Sequence, residues 1–283
     1  PAALLCITGE GHETLFVPNY NVLRAQWVAH ELVPSDQAAT QLGVDAIAYQ
    51  GDTVRGYSFV PFRRDAQYEQ FFAFLKKQLG EQGVLHVIGQ PGWQTDAYAQ
   101  QMSWFIGKFM PELHAEQRII DIAPQVGELR RCKDAYEISC IEKAIAITNE
   151  AQQAAQKAIT AGNRESDAVA ALEAVFTKNG SFLPAFPSIV ATGKNATILH
   201  YLEEMTPFGK DDAVVVDIGA SFDGYAADIT RTYPVSGSFT TRQAEIYDMV
   251  LAAQQHIAAI AAPGFYMHHP DKPEESLNHM VHA

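Results

Sequence analysis

The chain has 283 residues, 47% hydrophobic and 19% charged, a composition typical of a globular protein with a sizeable core and room for two domains. Its net charge of −13 argues against nucleic acid or an anionic membrane as partner, because both need compensating cations. Neither a membrane span nor a signal segment is visible.

Three cysteines, Cys6, Cys132 and Cys140, show no metal-type spacing and cannot all pair with one another. This pattern is typical of a reducing compartment, so we expect a cytoplasmic protein. Because the chain begins with Pro1 inside a strand-like run, we expect the natural N-terminus to lie upstream.

The first part of the chain alternates strand-like and helix-like segments. Apolar runs of strand length occur at residues 3–7, 14–17, 44–49, 84–88 and 119–122, and helical periodicity occurs at residues 68–79 and 96–110. This order predicts an α/β N-terminal domain, residues 1–128, with the boundary in the region 124–133. No glycine-rich phosphate loop follows any of the strands, which disfavours a nucleotide role.

The second part, residues 129–283, predicts an α+β domain. Asp134 with Glu137 forms a capping-box-like start for a helix that runs to about residue 160, and a second helix covers residues 166–178. A strand, a hairpin and a helix over residues 242–262 follow. That last helix begins with Thr240 and Gln243 in the same capping pattern.

The hairpin AVVVDIGASFDGYAADITRTYP, residues 213–234, carries one aspartate on each arm, Asp217 and Asp228. If its loop is centred on Phe222 and Asp223, the two aspartates lie directly opposite each other. If it is centred on Asp223 and Gly224, the register shifts by two and the pair is diagonal. Both registers put the carboxylates on one face, with Cβ atoms roughly 5 to 8 Å apart.

Two carboxylates placed in this way repel each other, and a divalent cation is the simplest resolution because such ions prefer oxygen ligands. The alternative is that Asp223 and Asp228 are solvent-face residues and Asp217 is a turn acid at a strand end. The spacing alone does not decide between these interpretations.

Together with the upstream segment SIVATGKNATILHY, the hairpin and its continuation DITRTYPVSGSFTTRQAEIYDMV resemble the metal-dependent pita-bread peptidases of family M24. The similarity is to the branch of Xaa-Pro aminopeptidases and Xaa-Pro dipeptidases. It implies a curved antiparallel sheet flanked by helices, with the domain incomplete at its C-terminal end. The family's later histidine segment and two further glutamates are absent from this sequence.

The resemblance implies that Asp217 and Asp228 are the first two ligands of a pair of divalent ions. It suggests Mn²⁺, with Zn²⁺ or Co²⁺ as alternatives. His200 matches the family histidine beside the substrate. Thr230 faces the same side as Asp228 and could support the metal site from behind the ligands, whereas Arg231 faces away.

Other polar residues near the site remain open. Glu203 and Glu204 could meet a substrate amine, but a solvated loop explains them equally well. The late histidines lack the glycines of the family segment, so we interpret them as surface or helix positions: His268, His269, His279 and His282. No Gly-x-Ser-x-Gly motif supports a serine nucleophile.

The resemblance implies an exopeptidase that hydrolyses the N-terminal Xaa-Pro bond by means of a metal-bridging hydroxide. Its expected substrate is a peptide with proline in second position, and we also expect a homo-oligomer, a dimer. The alternatives are an Xaa-Pro dipeptidase and a non-catalytic peptide- or protein-binding module of the same fold. A metal-free creatinase-like enzyme is disfavoured by the two aspartates. We expect the 283-residue chain alone to be inactive.

Overall fold

The computed structural model describes residues 3–20, 32–53, 68–88, 107 and 118–282. The chain divides into two compact units, Pro1–Cys132 and Lys133–Ala283. The boundary predicted between residues 128 and 129 falls inside a helix, Ala123–Arg131. The helix predicted over residues 96–110 lies outside the described residues, apart from residue 107.

The first unit alternates strands and helices. Its described elements are β1 (Leu4–Ile7), β2 (Glu13–Val17), α1 (Asp36–Leu42), β3 (Ala46–Tyr49), α2 (Glu69–Leu79), β4 (Leu85–Val87), β5 (Ile119–Asp121) and α3 (Ala123–Arg131). Strand β2 pairs antiparallel with β1 and parallel with β3, and β4 pairs parallel with β5. The aromatic face of α2, with Phe71 and Phe72, is buried near Phe16. These elements confirm the predicted α/β class.

The second unit contains two long helices, a small sheet and a third long helix. Its elements are α4 (Ala135–Ala158), α5 (Glu165–Lys178), β6 (Ile189–Thr192), β7 (Ala213–Ile218), β8 (Ser221–Phe222), β9 (Tyr225–Ala226), β10 (Ile229–Pro234), α6 (Thr241–Ile260) and α7 (Leu277–His282). Capping boxes begin α4 at Asp134 and α6 at Thr240, as the sequence predicts.

Strand β7 is the centre of an antiparallel sheet with the order β10-β7-β6. One face of β7 presents Val214, Val216 and Ile218, all fully buried, to a core shared with α4 and α5. The side chains between them, including Asp217, point to the opposite face because successive residues of a strand alternate. The core therefore fixes which face of the sheet carries the aspartate.

Helix α6 has no fully buried residue. Between it and β10 lies a groove of about 890 Å³ whose lining includes Thr232, Phe239, Ile246 and Tyr247. None of the described helices combines the length and the apolar character that a membrane crossing needs.

Candidate metal centre

The turn of the hairpin is centred on Asp223 and Gly224. Both residues adopt positive φ, 50° and 84°, as the two central residues of a type I′ turn require. Strands β8 and β9 flank the turn with Phe222 paired to Tyr225. The tip is attached to α4, because Tyr136 donates its hydroxyl to Asp223. Tyr225 in turn donates its hydroxyl to Glu137 over 2.7 Å.

This turn sets the register of the longer arms. Asp217 pairs with Thr230, and Ile218 pairs with Ile229. The register that would place Asp217 directly opposite Asp228 is therefore wrong, and the diagonal register is the observed one. The reason is that left-handed backbone at Asp223 and Gly224 matches the right-handed twist of the strands. A loop centred on Phe222 and Asp223 would not place the glycine at a central position of the turn.

Asp217 and Asp228 are nevertheless close together. Their carboxyl groups lie within hydrogen-bonding reach, so that one can share a proton with the other. Asp217 lies in the middle sheet strand and is partly buried, whereas Asp228 is more exposed, just before β10. The Oδ1 atom of Asp217 is buried and accepts no hydrogen bond. An acceptor of this kind, without a partner, is what a bound cation would satisfy.

The electrostatics of the Asp217–Asp228 pair also favour a bound cation. The pKa of Asp228 is raised above its ordinary value, first by removal of its carboxyl group from water and then by the negative charge of Asp217. The hydrogen bond to Asp217 raises it further. A divalent cation bound by both carboxylates would offset their mutual repulsion, so the pair Asp217 and Asp228 fits such an ion.

Buried polar side chains of α4 hold the hairpin from behind. Gln152 donates its amide to the carbonyl oxygens of Val216, at 3.2 Å, and Ile229, at 2.7 Å, and so joins β7 to β10. Thr148 accepts from the backbone amide of Ala220 over 2.9 Å. The sequence analysis missed both residues, because a polar residue on a helix face gives no local signal of a partner more than 60 positions away.

Gly219 allows the two arms to approach closely beside the aspartates. A Cβ atom at this position would lie 1.9 Å from the carbonyl oxygen of Ala227 and 2.9 Å from the ring of Phe186. Gly219 also accepts a hydrogen bond from Ala185 over 2.8 Å. Only glycine fits between these neighbours without displacing the segment that leads to Asp228.

Thr230 and His200 occupy different places relative to the pair. Thr230 lies directly opposite Asp217 and therefore shares its face of the sheet, next to the pair. His200 is exposed and lies in the segment that follows β6, the other neighbour of β7. In the described part of the chain its imidazole forms no hydrogen bond or ion pair. The structure thus places Thr230 beside the pair on the same face of the sheet, whereas the described contacts include none between the His200 side chain and the pair.

The two glutamates after His200 differ from each other. Glu203 is exposed, whereas Glu204 is partly buried and its Oε1 atom accepts no hydrogen bond. Burial raises the pKa of Glu204 to about 7, although a hydrogen bond from the backbone of Val190 opposes the shift. The interpretation of a solvated loop therefore fails for Glu204.

The late histidines whose side chains the structure describes contact one another or nearby residues. His268 stacks on His279 with ring centroids 5.3 Å apart, and His269 accepts from the backbone of Asp271. The side chain of His282 lies outside the described residues. Across the described ranges, no group of three or more His, Cys, Asp or Glu side chains is placed to hold a metal ion. The described residues therefore add no cluster of metal-ligating side chains to the Asp217–Asp228 pair.

The sequence of the second unit matches a known family. Residues 139–272, which include both aspartates, Thr230 and His200, match the model of metallopeptidase family M24. The expected family resemblance is confirmed, and the α+β unit is the pita-bread domain that it implies.

Similar proteins include both kinds of proline peptidase. The chain is 37% identical over 152 residues to the Xaa-Pro aminopeptidase of Escherichia coli strain K12, a match that covers 54% of this chain and 34% of that protein. It is 40% identical over 139 residues to the Xaa-Pro dipeptidase of Pyrococcus furiosus, covering 49% of this chain and 40% of that protein. The M24 domain alone thus matches both activities.

Solved structures of similar proteins extend the likeness over more of the chain. A zinc-substituted E. coli aminopeptidase P in complex with product matches with a TM-score of 0.71 and 27% identity, over 90% of this chain and 54% of that one. A candidate aminopeptidase P from Bacillus anthracis matches with a TM-score of 0.76 and 25% identity, over 99% of this chain and 62% of that one. The matched region spans about a third of the length of the curated relatives.

Proposed function

We propose that the intact protein is a metal-dependent exopeptidase that removes the N-terminal residue from peptides with proline in second position. The observation that carries this proposal is the Asp217–Asp228 pair in the M24 domain. It has one buried carboxylate oxygen without a partner and a raised pKa at Asp228. Packing of the fold alone does not explain two mutually repelling carboxylates on one face of the sheet.

In this proposal Asp217 and Asp228 hold divalent ions, for which Mn²⁺ is our first choice and Zn²⁺ or Co²⁺ the alternatives. When bound, such ions polarise a carbonyl oxygen and lower the pKa of water. A ligand role requires the ionised form of Asp228, which the raised pKa of this carboxyl group disfavours. Thr230, opposite Asp217, would orient that carboxylate with its hydroxyl. His200, exposed beside the sheet, would donate a hydrogen bond where negative charge develops on the substrate carbonyl.

Two other functions are alternatives to an Xaa-Pro aminopeptidase. An Xaa-Pro dipeptidase is favoured by the P. furiosus relative, which matches at 40% identity. A non-catalytic peptide- or protein-binding module of the same fold would have no need for the aspartate pair. We further propose that the protein is cytoplasmic, because Cys6, Cys132 and Cys140 are all free thiols, and that it forms a homodimer. Sedimentation of the intact protein tests the dimer.

The decisive experiment is an assay of the intact protein on an Xaa-Pro-Xaa tripeptide, an Xaa-Pro dipeptide and an Xaa-Ala-Xaa tripeptide. We expect cleavage of the first, loss of activity after chelation and recovery with Mn²⁺. Cleavage of the dipeptide alone would establish the dipeptidase. Undiminished activity after exhaustive metal removal would contradict the mechanism, and peptide binding without cleavage in the presence of Mn²⁺ would favour the module.

A further inference from the structure

Glu165 is a fully buried carboxylate at the first position of α5. Four donors surround it. Oε1 accepts from the backbone amide of Thr192 at 2.9 Å and from the side-chain amide of Asn195 at 3.0 Å. Oε2 accepts from the hydroxyl of Tyr201 at 3.0 Å and from the backbone amide of Thr206 at 2.9 Å. A buried charge is tolerable when it is hydrogen-bonded as fully as this, and the start of a helix also favours a negative charge.

All four donors belong to one stretch of chain, residues 192–206. We call this stretch the His200 segment, because His200 is its exposed histidine. Apart from the short 3₁₀ turn Gly193–Thr197, it has no regular structure of its own after β6 ends. Its first and last residues, Thr192 and Thr206, and its middle, through Tyr201, all converge on Glu165. The carboxylate thus replaces the hydrogen bonds that a sheet or helix would otherwise supply.

The position of His200 depends on this arrangement through its neighbour. Tyr201 is 5% exposed and packs with Ile189 and Ala191 of β6, while His200 itself is exposed and without a hydrogen bond in the described residues. Because Tyr201 is held at both its ring and its hydroxyl, its contacts restrain the backbone of its neighbour His200. An amide at position 165 could not replace the carboxylate, since its NH₂ group would face two donors.

We propose that Glu165 is a positioning residue for His200, which it acts on through Tyr201 and the rest of the His200 segment. The role of His200 beside a substrate rests on the function proposed above, whereas the mechanical link from Glu165 to His200 does not. The two parts can therefore be tested separately.

The link is tested on the chain itself by hydrogen exchange and by NMR of the His200 imidazole, with Glu165→Gln compared to Glu173→Gln. Glu173 is the matched control, because it lies on the same helix and accepts a hydrogen bond only from Ser188 in the described contacts. We expect Glu165→Gln to speed amide exchange in residues 192–206 by about tenfold or more and to shift the His200 resonances. Protection in α4 should be retained. Unchanged exchange in the segment, or equal acceleration throughout the second unit, would overturn the link.

The catalytic consequence is tested in the intact protein with Mn²⁺. We expect Glu165→Gln to lower kcat about tenfold or more with metal content and KM unchanged, because small displacements of a catalytic group cost this much. In the His200→Ala background the same substitution should have no further effect. An undiminished second loss in that background would show that Glu165 acts elsewhere, and loss of metal would show that it supports the ligands.

If Glu165→Gln fails to fold, Tyr201→Phe removes a single donor and should give the same local changes on a smaller scale. No segment-specific change in that variant would count against the proposal. If the intact protein cleaves no Xaa-Pro peptide, the proposed function is wrong. The exchange and imidazole measurements then decide the link between Glu165 and His200.

Discussion

Asp217 pairs directly with Thr230 across β7 and β10, so that Asp228 lies diagonally from Asp217 on the same face. In this arrangement a small uncharged hydroxyl, and not a second carboxylate, occupies the closest cross-strand position. Asp228, more exposed, retains contact with solvent while it still approaches the Asp217 carboxylate. The register therefore sets the two aspartates diagonally in the backbone, while their carboxyl groups still meet and are both available to one site.

The first prediction concerns metal binding by the chain alone. Asp217 and Asp228 together offer at most four oxygens, and the described residues add no further ligand cluster. We expect calorimetry with Mn²⁺ to give a Kd of about 0.1 mM or weaker, since ions bound by few ligands keep most of their water. Because the raised pKa of Asp228 means that a proton competes with the metal, binding should strengthen as pH rises through that pKa.

The controls lie on the same hairpin. Asp217→Asn and Asp228→Asn should each abolish the weak binding, whereas Asp223→Asn should leave it unchanged. Asp223 is an exposed turn residue at φ 50°, a conformation that asparagine also tolerates. Tight binding of two ions per chain would contradict the prediction and would mean that other residues complete the site.

The second prediction concerns Gly219. Gly219→Ala should destabilise the second unit by about 2–3 kcal/mol, because the new methyl group would overlap the carbonyl oxygen of Ala227. Thermal unfolding measures this loss. Gly127→Ala is the control, since Gly127 lies in α3 with open space around it and alanine favours a helix. Equal stability of Gly219→Ala and the parent chain would show that the two arms can separate without penalty.

The positions of most elements could be predicted from the sequence, and the reasons are local. Capping boxes at Asp134 and Thr240 fix the beginnings of α4 and α6, and alternation along β7 marks its buried face. The hairpin register could not be decided, because it depends on which residues adopt left-handed backbone. Helix α1 was missed although Ser35 caps it, since its seven residues carry little periodicity.

The polar residues that support the site could not be predicted at all. Glu165 meets partners 27 to 41 positions along the chain, and Gln152 meets partners 64 to 81 positions away. From the sequence alone, neither Glu165 nor Gln152 differs from an ordinary polar residue of a helix. Only the packing of those helices against the sheet shows that their side chains are buried, and burial is what makes the contacts strong.

The third prediction concerns the pH dependence of stability through Glu204. Its pKa is raised from about 4.5 to about 7 in the folded protein. Between these values the folded state binds more protons than the unfolded state, so the free energy of unfolding falls as pH rises from about 4.5 to 7. Glu204→Gln should remove this slope. At pH 8 it should stabilise the chain by about 1–2 kcal/mol, a figure reduced for the partial exposure of the group.

Urea unfolding at pH 4, 6 and 8 measures this effect. The two proteins should have nearly equal stability at pH 4 and differ most at pH 8. Glu203→Gln, at the exposed neighbouring position, should follow the parent chain throughout. If the stability of the parent chain instead rises between pH 5 and 7 and Glu204→Gln abolishes the rise, the folded protein stabilises the ionised form of Glu204, and the prediction is wrong.

The last prediction concerns His200 in the intact protein. His200 is exposed, hydrogen-bonded to no described residue and outside the contacts of the Asp217–Asp228 pair, so its side chain contributes little to the fold or to metal retention. We expect His200→Ala to leave the melting temperature and the Mn²⁺ content unchanged. It should lower kcat by about 10²–10³, the usual effect of removing a donor to a developing oxyanion.

His256→Ala, at an exposed position of α6, is the matched control and should change neither the Mn²⁺ content nor kcat. If His200→Ala instead loses metal with its activity, the histidine is a ligand or supports one. If kcat is unchanged, some other donor faces the substrate. The catalytic role proposed for the His200 segment, and for Glu165 through it, is then wrong.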